Sequence, residues 1–319
     1  MDTEKFLFNN QNIDISFHEL SELELEIAES YIEITRHLQE IHNLYLIFMY
    51  SINTMRCNYE FLPSGEVLNN RMPAVTENDY IAVNAMVNNV ISAGSTLVEA
   101  LECCIDEHLV KGDSNRENYM KQYHDTYDNS FSYRFLIRLR DYSQHGHLPV
   151  NKDGEWYGFN LYHILNKPHF NHNARIKQQM ENATREIMDT YGNEPKFSLT
   201  VTIAEYVAML LSIYCCFWNA IEETLAISYE KIGEVISNNI QNINTIKEKD
   251  ISYFVYDVID GNAQIFFISD DPIIMFRAFK NEAEKSKNSY TEEWNKIKKS
   301  LLTIRVVDKK YIEIGGFNG

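Results

Sequence analysis

A stripe of apolar residues near the start of the chain most constrains its fold. Its members are three or four residues apart: Leu23, Ile27, Tyr31, Ile34, Leu38, Ile41, Leu44 and Phe48. Because residues at that spacing share one face of an α-helix, the stripe predicts a long helix over residues 17–58 with one side in a core. Ser16, with Glu19 three residues later, is the predicted N-cap.

Helical patterns cover most of the remaining chain, at about 77–108, 114–125, 129–145, 173–191, 199–238, 272–285 and 290–301. The chain has only 12 glycines and 6 prolines, which disfavours barrels and other loop-rich β folds. The most apolar stretch, Val201 to Trp218, is nearly long enough to cross a bilayer. It contains Glu205 and has no basic residues at its ends, so we expect a buried central helix and no membrane interaction.

Strand signals are few. Asp153-Gly154 predicts a short hairpin, and Asp260-Gly261-Asn262, between two apolar runs, predicts a second one. LLTIRVV and KYIEIGG near the C-terminus read as short strands, and residues 61–76 read as a surface loop. The predicted fold is mainly α: a helical bundle over residues 1–245 and a small C-terminal α/β module over 246–319, whose role we leave open.

Charge is distributed unevenly along the chain. The net charge is −17, and residues 1–129 alone hold 7 basic and 22 acidic side chains. Residues 130–180 hold 7 basic and 3 acidic side chains, together with five of the ten histidines and several aromatic residues. Basic groups interleaved with aromatic ones suit phosphates and unstacked bases. Ordinary packing aromatics beside a solvated basic face are the alternative.

The cysteines and the N-terminus indicate a cytoplasmic protein. Four of the five cysteines form two pairs of sequence neighbours, Cys103/Cys104 and Cys215/Cys216, and neither pair has a second ligand pair at zinc-finger spacing. We therefore expect buried, reduced thiols, no metal and no cofactor. The first twenty residues lack the basic start and the apolar run of a secretory signal.

One segment, FLIRLRDYSQHGHLPV (135–150), carries candidate catalytic residues. Arg140 and His145 are five positions apart, a rotation of about 140° beyond one helical turn, and Gly146 and Pro149 could break the helix so that the pair converges. Histidine is readily poised as a base or acid near neutral pH, and arginine supplies a forked positive charge for phosphate. Asp141 could orient either group. The set suffices for metal-independent RNA cleavage through the ribose 2′-hydroxyl.

Arg140-Asp141-Tyr142-Ser143-Gln144-His145 resembles the Arg-polar-x-x-x-His signature of the HEPN superfamily. The resemblance implies a helical bundle that dimerises so that two Arg/His pairs share one cleft. It also implies a metal-independent endoribonuclease, of the kind found in toxin–antitoxin, abortive-infection and anti-phage defence systems, with RNA and a protein antitoxin or sensor as partners. The likeness covers the motif and the surrounding helices. The C-terminal module resembles no family that we recognise.

Other assignments remain open at the level of sequence. Arg138 with His145 and Arg140 with His147 satisfy looser spacings, so His147 is a second candidate base. Further predicted substrate contacts are Arg138, His147, Tyr142, Lys167 and His169. A rival match, Arg36 to His42, lies among glutamates and is interpreted as a surface ion pair with helix-face histidines. The structural alternative to catalysis is that Arg140 forms an ion pair and that His145 is a positive charge at the C-terminus of its helix. The functional alternative is a non-catalytic helical interaction or sensor protein.

Overall fold

The fold is mainly α, as predicted. The computed structural model describes residues 6–11, 14–61, 67–70, 79–153, 156–165, 174, 177–182, 196–240, 253–259, 262–268 and 272–304. Its helices are α1 (Glu22–Asn58), α2 (Asp79–His108), α3 (Ser114–Asn129), α4 (Phe131–Gln144), α5 (Leu161–Leu165), α6 (Leu199–Ile240) and α7 (Pro272–Ile304). Residues 177–182 are also helical, within the predicted 173–191 helix.

Helix α1 begins at Glu22, later than the predicted start at residue 17. Ser21 is the N-cap: its backbone N–H donates to Glu24 Oε2 at 2.9 Å, and its hydroxyl accepts from the Glu24 backbone N–H at 3.4 Å. The prediction of Ser16 as N-cap is wrong because residues Asp14–Glu19 form a strand, β2, antiparallel to β1 (Phe6–Gln11). Both sites offer a serine with glutamate three residues later, and only the pairing with β1 separates them.

The core lies between α1, α2, α4 and α6. Helix α6 runs through its centre and contacts α1, α2, α3, α4 and α7. Tyr214 and Tyr206 of α6 are fully buried there, with Tyr214 stacked on Tyr45 at 4.5 Å and Tyr206 stacked on Tyr133 at 5.9 Å between ring centroids. The prediction of a buried central helix from Val201 to Trp218 is confirmed.

Two helices have the length and apolar composition of a membrane span, α2 and residues 199–238 of α6. More than half of each apolar window, 56% and 67%, is buried against the rest of the fold. Core helices of globular proteins share this composition, so their apolar character is accounted for by packing.

The strands form antiparallel sheets at the edges of the bundle. Asp153 pairs with Trp156 between β5 (Asn151–Asp153) and β6 (Trp156–Asn160), so the predicted hairpin is confirmed, and β7 (Lys196–Ser198) extends this sheet. β3 (Tyr59–Phe61) pairs with β4 (Val67–Asn70), and β4 lies in the segment predicted as a loop, residues 61–76. β8 (Tyr253–Ile259) and β9 (Asn262–Ile268) form the second predicted hairpin.

The C-terminal hairpin shares its sheet with the N-terminus. The strand order is β2-β1-β8-β9, with Phe6 opposite Tyr256 and Phe8 opposite Phe254. The sheet assigned from sequence to residues 246–319 therefore draws two of its four strands from residues 6–19. Sequence periodicity does not report pairing across such a separation, because each strand signal is local.

Helix α7 is continuous where two helices and a strand were predicted. It runs from Pro272 to Ile304, so the break at 286–289 and the strand at 301–304 are wrong. No Gly or Pro interrupts the segment, and the Ser286 hydroxyl bonds the Tyr45 hydroxyl at 2.8 Å, which holds the middle of α7 against α1. Ala283 and Trp294 are buried on either side of that contact. The predicted KYIEIGG strand lies outside the described residues.

Candidate functional site

Helix α4 carries the Arg140–His145 segment, and its N-terminus is anchored on α6. Ser130 is the N-cap and accepts a hydrogen bond from the Tyr133 backbone N–H at 3.2 Å. The Ser130 hydroxyl donates to Glu205 Oε1 at 2.9 Å, and the Ser132 hydroxyl donates to Glu205 Oε2. Burial raises the pKa of Glu205, and the two serine hydrogen bonds oppose that rise. In the sequence, Glu205 stands out only as a charged residue within an apolar stretch.

Helix α4 ends where the glycine predicted a break. The last helical residue is Gln144, and the backbone N–H of the cap residue, His145, donates to the Asp141 carbonyl at 3.2 Å. Gly146 has φ +82°, the left-handed conformation that favours glycine, and its N–H donates to the Ser143 carbonyl at 3.1 Å. The chain therefore turns sharply after His145, at the exposed end of the helix.

Asn84 of α2 clamps the segment that follows this turn. Its side-chain amide donates to the Val150 carbonyl at 3.1 Å, and its carbonyl oxygen accepts from the Val150 N–H at 2.9 Å. Asn84 also donates to the Tyr80 carbonyl at 3.0 Å and is almost fully buried. An asparagine inside an apolar helix face is the sequence signal that could have identified this clamp, because a buried amide needs partners.

Arg140 lies on α4 facing α2 and is paired with a carboxylate. One of its terminal nitrogens, Nη1, donates to Glu99 Oε1 of α2. The Arg140 side chain is 26% exposed and that of Glu99 is 61% exposed, so the pair sits at the protein surface. Burial raises the pKa of Tyr206, and the positive charge of Arg140 nearby opposes the rise. A guanidinium carries five N–H donors, and the Glu99 contact uses one nitrogen.

The other two arginines of α4 have internal partners. Arg134 is buried and donates from Nη1 to the carbonyls of Tyr127 and Asp128, at 2.9 Å each, and from Nη2 to the Gln179 side chain. Arg138, a predicted substrate contact, is half-buried and donates from Nε and Nη2 to the Tyr127 hydroxyl at 3.2 Å. Its guanidinium lies 5.9 Å from the Tyr127 ring centroid. Two of the seven basic side chains of residues 130–180 therefore bond groups within the fold.

The remaining predicted residues divide into exposed and buried ones. His145 is exposed and Asp141 is half-buried at the end of α4. Tyr142 is only 4% exposed, and its ring stacks on that of half-buried His147 at 4.6 Å between centroids. Burial raises the pKa of Tyr142. Because this face of the ring is covered, Tyr142 packs the turn and is not placed to stack on a base. Lys167 and His169 lie outside the described residues.

The rival match at Arg36 and His42 has a different environment from the one predicted. Arg36 is exposed, but His42 is buried and stacks on Phe279 at 3.6 Å, with its Nδ1 3.4 Å from the Tyr214 hydroxyl. Burial lowers the pKa of His42, and Glu282 opposes the shift. The interpretation of His42 as a surface histidine is wrong, because α7 covers this face of α1. A sealed imidazole cannot reach a nucleotide.

A cavity of about 340 Å³ lies elsewhere, between α1, α6 and α7. Its lining is largely apolar, and Arg56 and Glu293 form an ion pair of 3.0 Å at its wall. None of the residues of the Arg140 segment lines it. The Arg140 segment therefore lies outside this cavity.

The chain matches none of the protein-family models, curated proteins or solved structures with which it was compared.

Proposed function

We propose that the chain is a metal-independent endoribonuclease of the HEPN type, with its active site at the C-terminal end of α4. The observation that carries the proposal is the placement of Arg140 and His145 at one solvent-accessible helix end. By contrast, Arg134 and Arg138 on the same helix point toward internal partners, and the histidine of the rival match is buried.

Each group has a distinct role in this proposal. His145 removes the proton from a ribose 2′-hydroxyl, and the 2′-oxygen attacks the adjacent phosphorus. The 5′-oxygen leaves with a proton from a second acid, so the products are a 2′,3′-cyclic phosphate and a free 5′-hydroxyl. Arg140 donates to a non-bridging oxygen, whose negative charge grows in the transition state. Asp141 follows Arg140 in sequence and accepts the His145 backbone N–H through its carbonyl, and we assign it a positioning role.

The helical spacing of the pair favours a dimeric active site. A five-residue step advances about 7.5 Å along the axis and leaves the two side chains about 140° apart. A second copy that packs on this end of α4 would bring its own arginine and histidine to the same phosphate, so that one histidine acts as the base and the other as the acid for the leaving group. We therefore include a homodimer in the proposal.

Glu99 enters the proposal as a competitor for Arg140. A phosphate approaching Arg140 must displace or share the Glu99 contact, and surface ion pairs of this kind contribute only about 0–1 kcal/mol. A dianionic or polyanionic substrate interacts more strongly with a guanidinium through two parallel hydrogen bonds.

The test is incubation of the purified chain with total RNA in EDTA, beside Arg140→Ala and His145→Ala. Arg36→Ala and His124→Ala are the matched controls, because both residues are exposed helical positions outside the proposed site. We expect wild type and controls to release fragments with 2′,3′-cyclic phosphate ends, and the two site variants to be slower by at least about 100-fold. Circular dichroism of the same samples checks that each is folded.

Equal cleavage by wild type and both site variants would overturn the proposal, as would no cleavage by wild type. Cleavage of an RNA whose riboses are all 2′-O-methylated would also overturn it, because that substrate lacks the attacking hydroxyl.

A second candidate function is non-catalytic binding of a protein partner. It is favoured by three apolar side chains on the outer face of α1, Leu46, Ile47 and Tyr50, which are exposed in the chain, Tyr50 by 74%. The engagement of Arg140 by Glu99 is equally compatible with it. An inactive wild type that binds a different protein through this face, with the binding lost in Tyr50→Glu, would favour this second function.

A further inference from the structure

Three metal-ligand side chains converge far from the α4 end in sequence and on a different pair of helices. His37 comes from the middle of α1, and Cys104 and His108 come from the last turns of α2. The ligand atoms of the three side chains all lie within 4.8 Å of one another. Cys104 and His108 are four residues apart, so they share one face of α2, and that face packs on α1.

The distances suit a tetrahedral metal. Zinc bonds of about 2.0–2.1 Å to nitrogen and 2.3 Å to sulfur, at tetrahedral angles, place ligand atoms about 3.3–3.6 Å apart. His37 Nδ1 and His108 Nε2 are 3.1 Å apart, and their ring centroids are 5.4 Å apart. The Cys104 sulfur lies at most 4.8 Å from the two nitrogens. A contraction of at most about 1.2 Å, within the reach of side-chain rotation, brings it to the separation expected for two zinc ligands.

Glu107 contributes a carboxylate beside His37. Glu107 Oε2 lies 3.5 Å from His37 Nδ1, close to the separation expected between two ligands of one metal. The Glu107 side chain is half exposed, whereas Cys104 is only 3% exposed. The cluster therefore has a shielded sulfur on its inner side and a carboxylate at the solvent side.

The donor set selects the class of metal. Two imidazoles, one thiolate and one carboxylate suit zinc and similar borderline ions, while magnesium and calcium prefer all-oxygen sites. A divalent ion with one thiolate and one carboxylate is electrically neutral, which limits the free energy lost on removing the charges from water.

We propose that His37, Cys104, His108 and Glu107 form a binding site for Zn²⁺ that joins α1 to the C-terminal end of α2. Cys104 binds as the thiolate and releases its proton to solvent, and the imidazoles bind in their neutral form. This site is independent of the proposed ribonuclease centre. It also departs from the sequence-based expectation of no metal, because His37 and His108 are 71 residues apart and meet only in the folded chain.

The competing explanation is a metal-free contact in which one imidazole N–H donates to the other imidazole nitrogen. That contact also accounts for the 3.1 Å separation between His37 and His108. It assigns no role to the Cys104 sulfur and predicts no metal affinity, so metal binding by the full chain separates the two explanations.

The experiment is a titration of the chelator-treated full chain with Co²⁺, followed by displacement with Zn²⁺. We expect one Co²⁺ per chain, with the visible bands of a tetrahedral ion and a near-ultraviolet thiolate-to-cobalt band that Zn²⁺ abolishes. Cys104→Ser and His108→Gln should bind more than about 100-fold more weakly, since even the loss of a hydrogen-bond partner behind a ligand weakens metal sites 10–100-fold. Cys103→Ser, the exposed neighbour on α2, is the matched control and should bind like wild type.

X-ray absorption spectroscopy of the Zn²⁺-loaded wild type identifies the ligand atoms of the metal and tests the proposal without any variant. We expect a first shell of one sulfur and three lighter ligands. A shell without sulfur, absence of the thiolate-to-cobalt band in wild type, or an equal loss of binding in Cys103→Ser and Cys104→Ser would overturn the proposal.

Discussion

Replacing Gly94 by alanine tests how closely α2 and α6 approach each other. A Cβ at this position would lie 2.2 Å from the Tyr206 hydroxyl oxygen and 2.9 Å from Leu210 Cδ1. Tyr206 is fully buried between Tyr133, at 5.9 Å, and Phe48, at 6.3 Å between ring centroids, so its ring cannot move aside freely. Overpacking of this kind costs about 1–3 kcal/mol, and the higher helix propensity of alanine returns about 1 kcal/mol. We expect Gly94→Ala to lower the free energy of unfolding by up to about 2 kcal/mol.

Gly233→Ala in α6 is the matched control, because a Cβ there would have no neighbouring atom within 4 Å. Only the propensity term applies, so this variant should be more stable by about 0.5–1 kcal/mol. Urea unfolding followed by far-ultraviolet circular dichroism measures both. In a Tyr206→Phe background the closest atom is absent, and the destabilisation by Gly94→Ala should shrink by about 1 kcal/mol. A Gly94→Ala protein as stable as Gly233→Ala would refute the close approach of these two helices.

Three further predictions concern buried polar groups. Because burial lowers the pKa of His42, the unfolded chain binds more protons than the folded chain once the pH falls below about 6.5. The free energy of unfolding should therefore fall with pH in that range, by at most about 1.4 kcal/mol per pH unit. His42→Phe should flatten that profile. Asn84→Ala removes both hydrogen bonds to Val150 and should cost about 2–4 kcal/mol, with faster amide hydrogen exchange over 147–150. Ser132→Ala leaves the Glu205 carboxylate with one hydrogen bond fewer and should cost about 1–3 kcal/mol in urea unfolding.

Each of the three has a control of the same residue type. His124→Gln, at an exposed position of α3, should leave the pH profile of stability unchanged. Asn89→Ala, exposed on α2, should leave hydrogen exchange over 147–150 unchanged. Ser143→Ala removes only a hydroxyl that bonds the Leu139 carbonyl of its own helix, at 3.0 Å, and should change stability by less than about 0.5 kcal/mol. A control that matches its test variant would contradict the corresponding argument.

Local patterns predicted much of the secondary structure. The helices of the bundle follow apolar spacing at 3.6 residues per turn, and the two hairpins follow Asp153-Gly154 and Asp260-Gly261-Asn262. The wrong secondary-structure predictions lie where the local sequence favours neither a helix nor a break in it. Residues 286–289 have no strong helix-breaking residue, and contact with Tyr45 on α1 decided that α7 continues.

The sequence by itself determined that this chain is a helical bundle with a break after His145, because helix periodicity and a glycine in the left-handed conformation are local properties. Only the tertiary structure decided what each functional group faces. Glu99 pairs with Arg140 across 41 residues, and His37 meets His108 across 71. Such contacts depend on which helix faces pack together. The hydrophobic effect is non-directional, so the apolar pattern of one helix does not select its partner face, and the packing of all the helices in the core decides it.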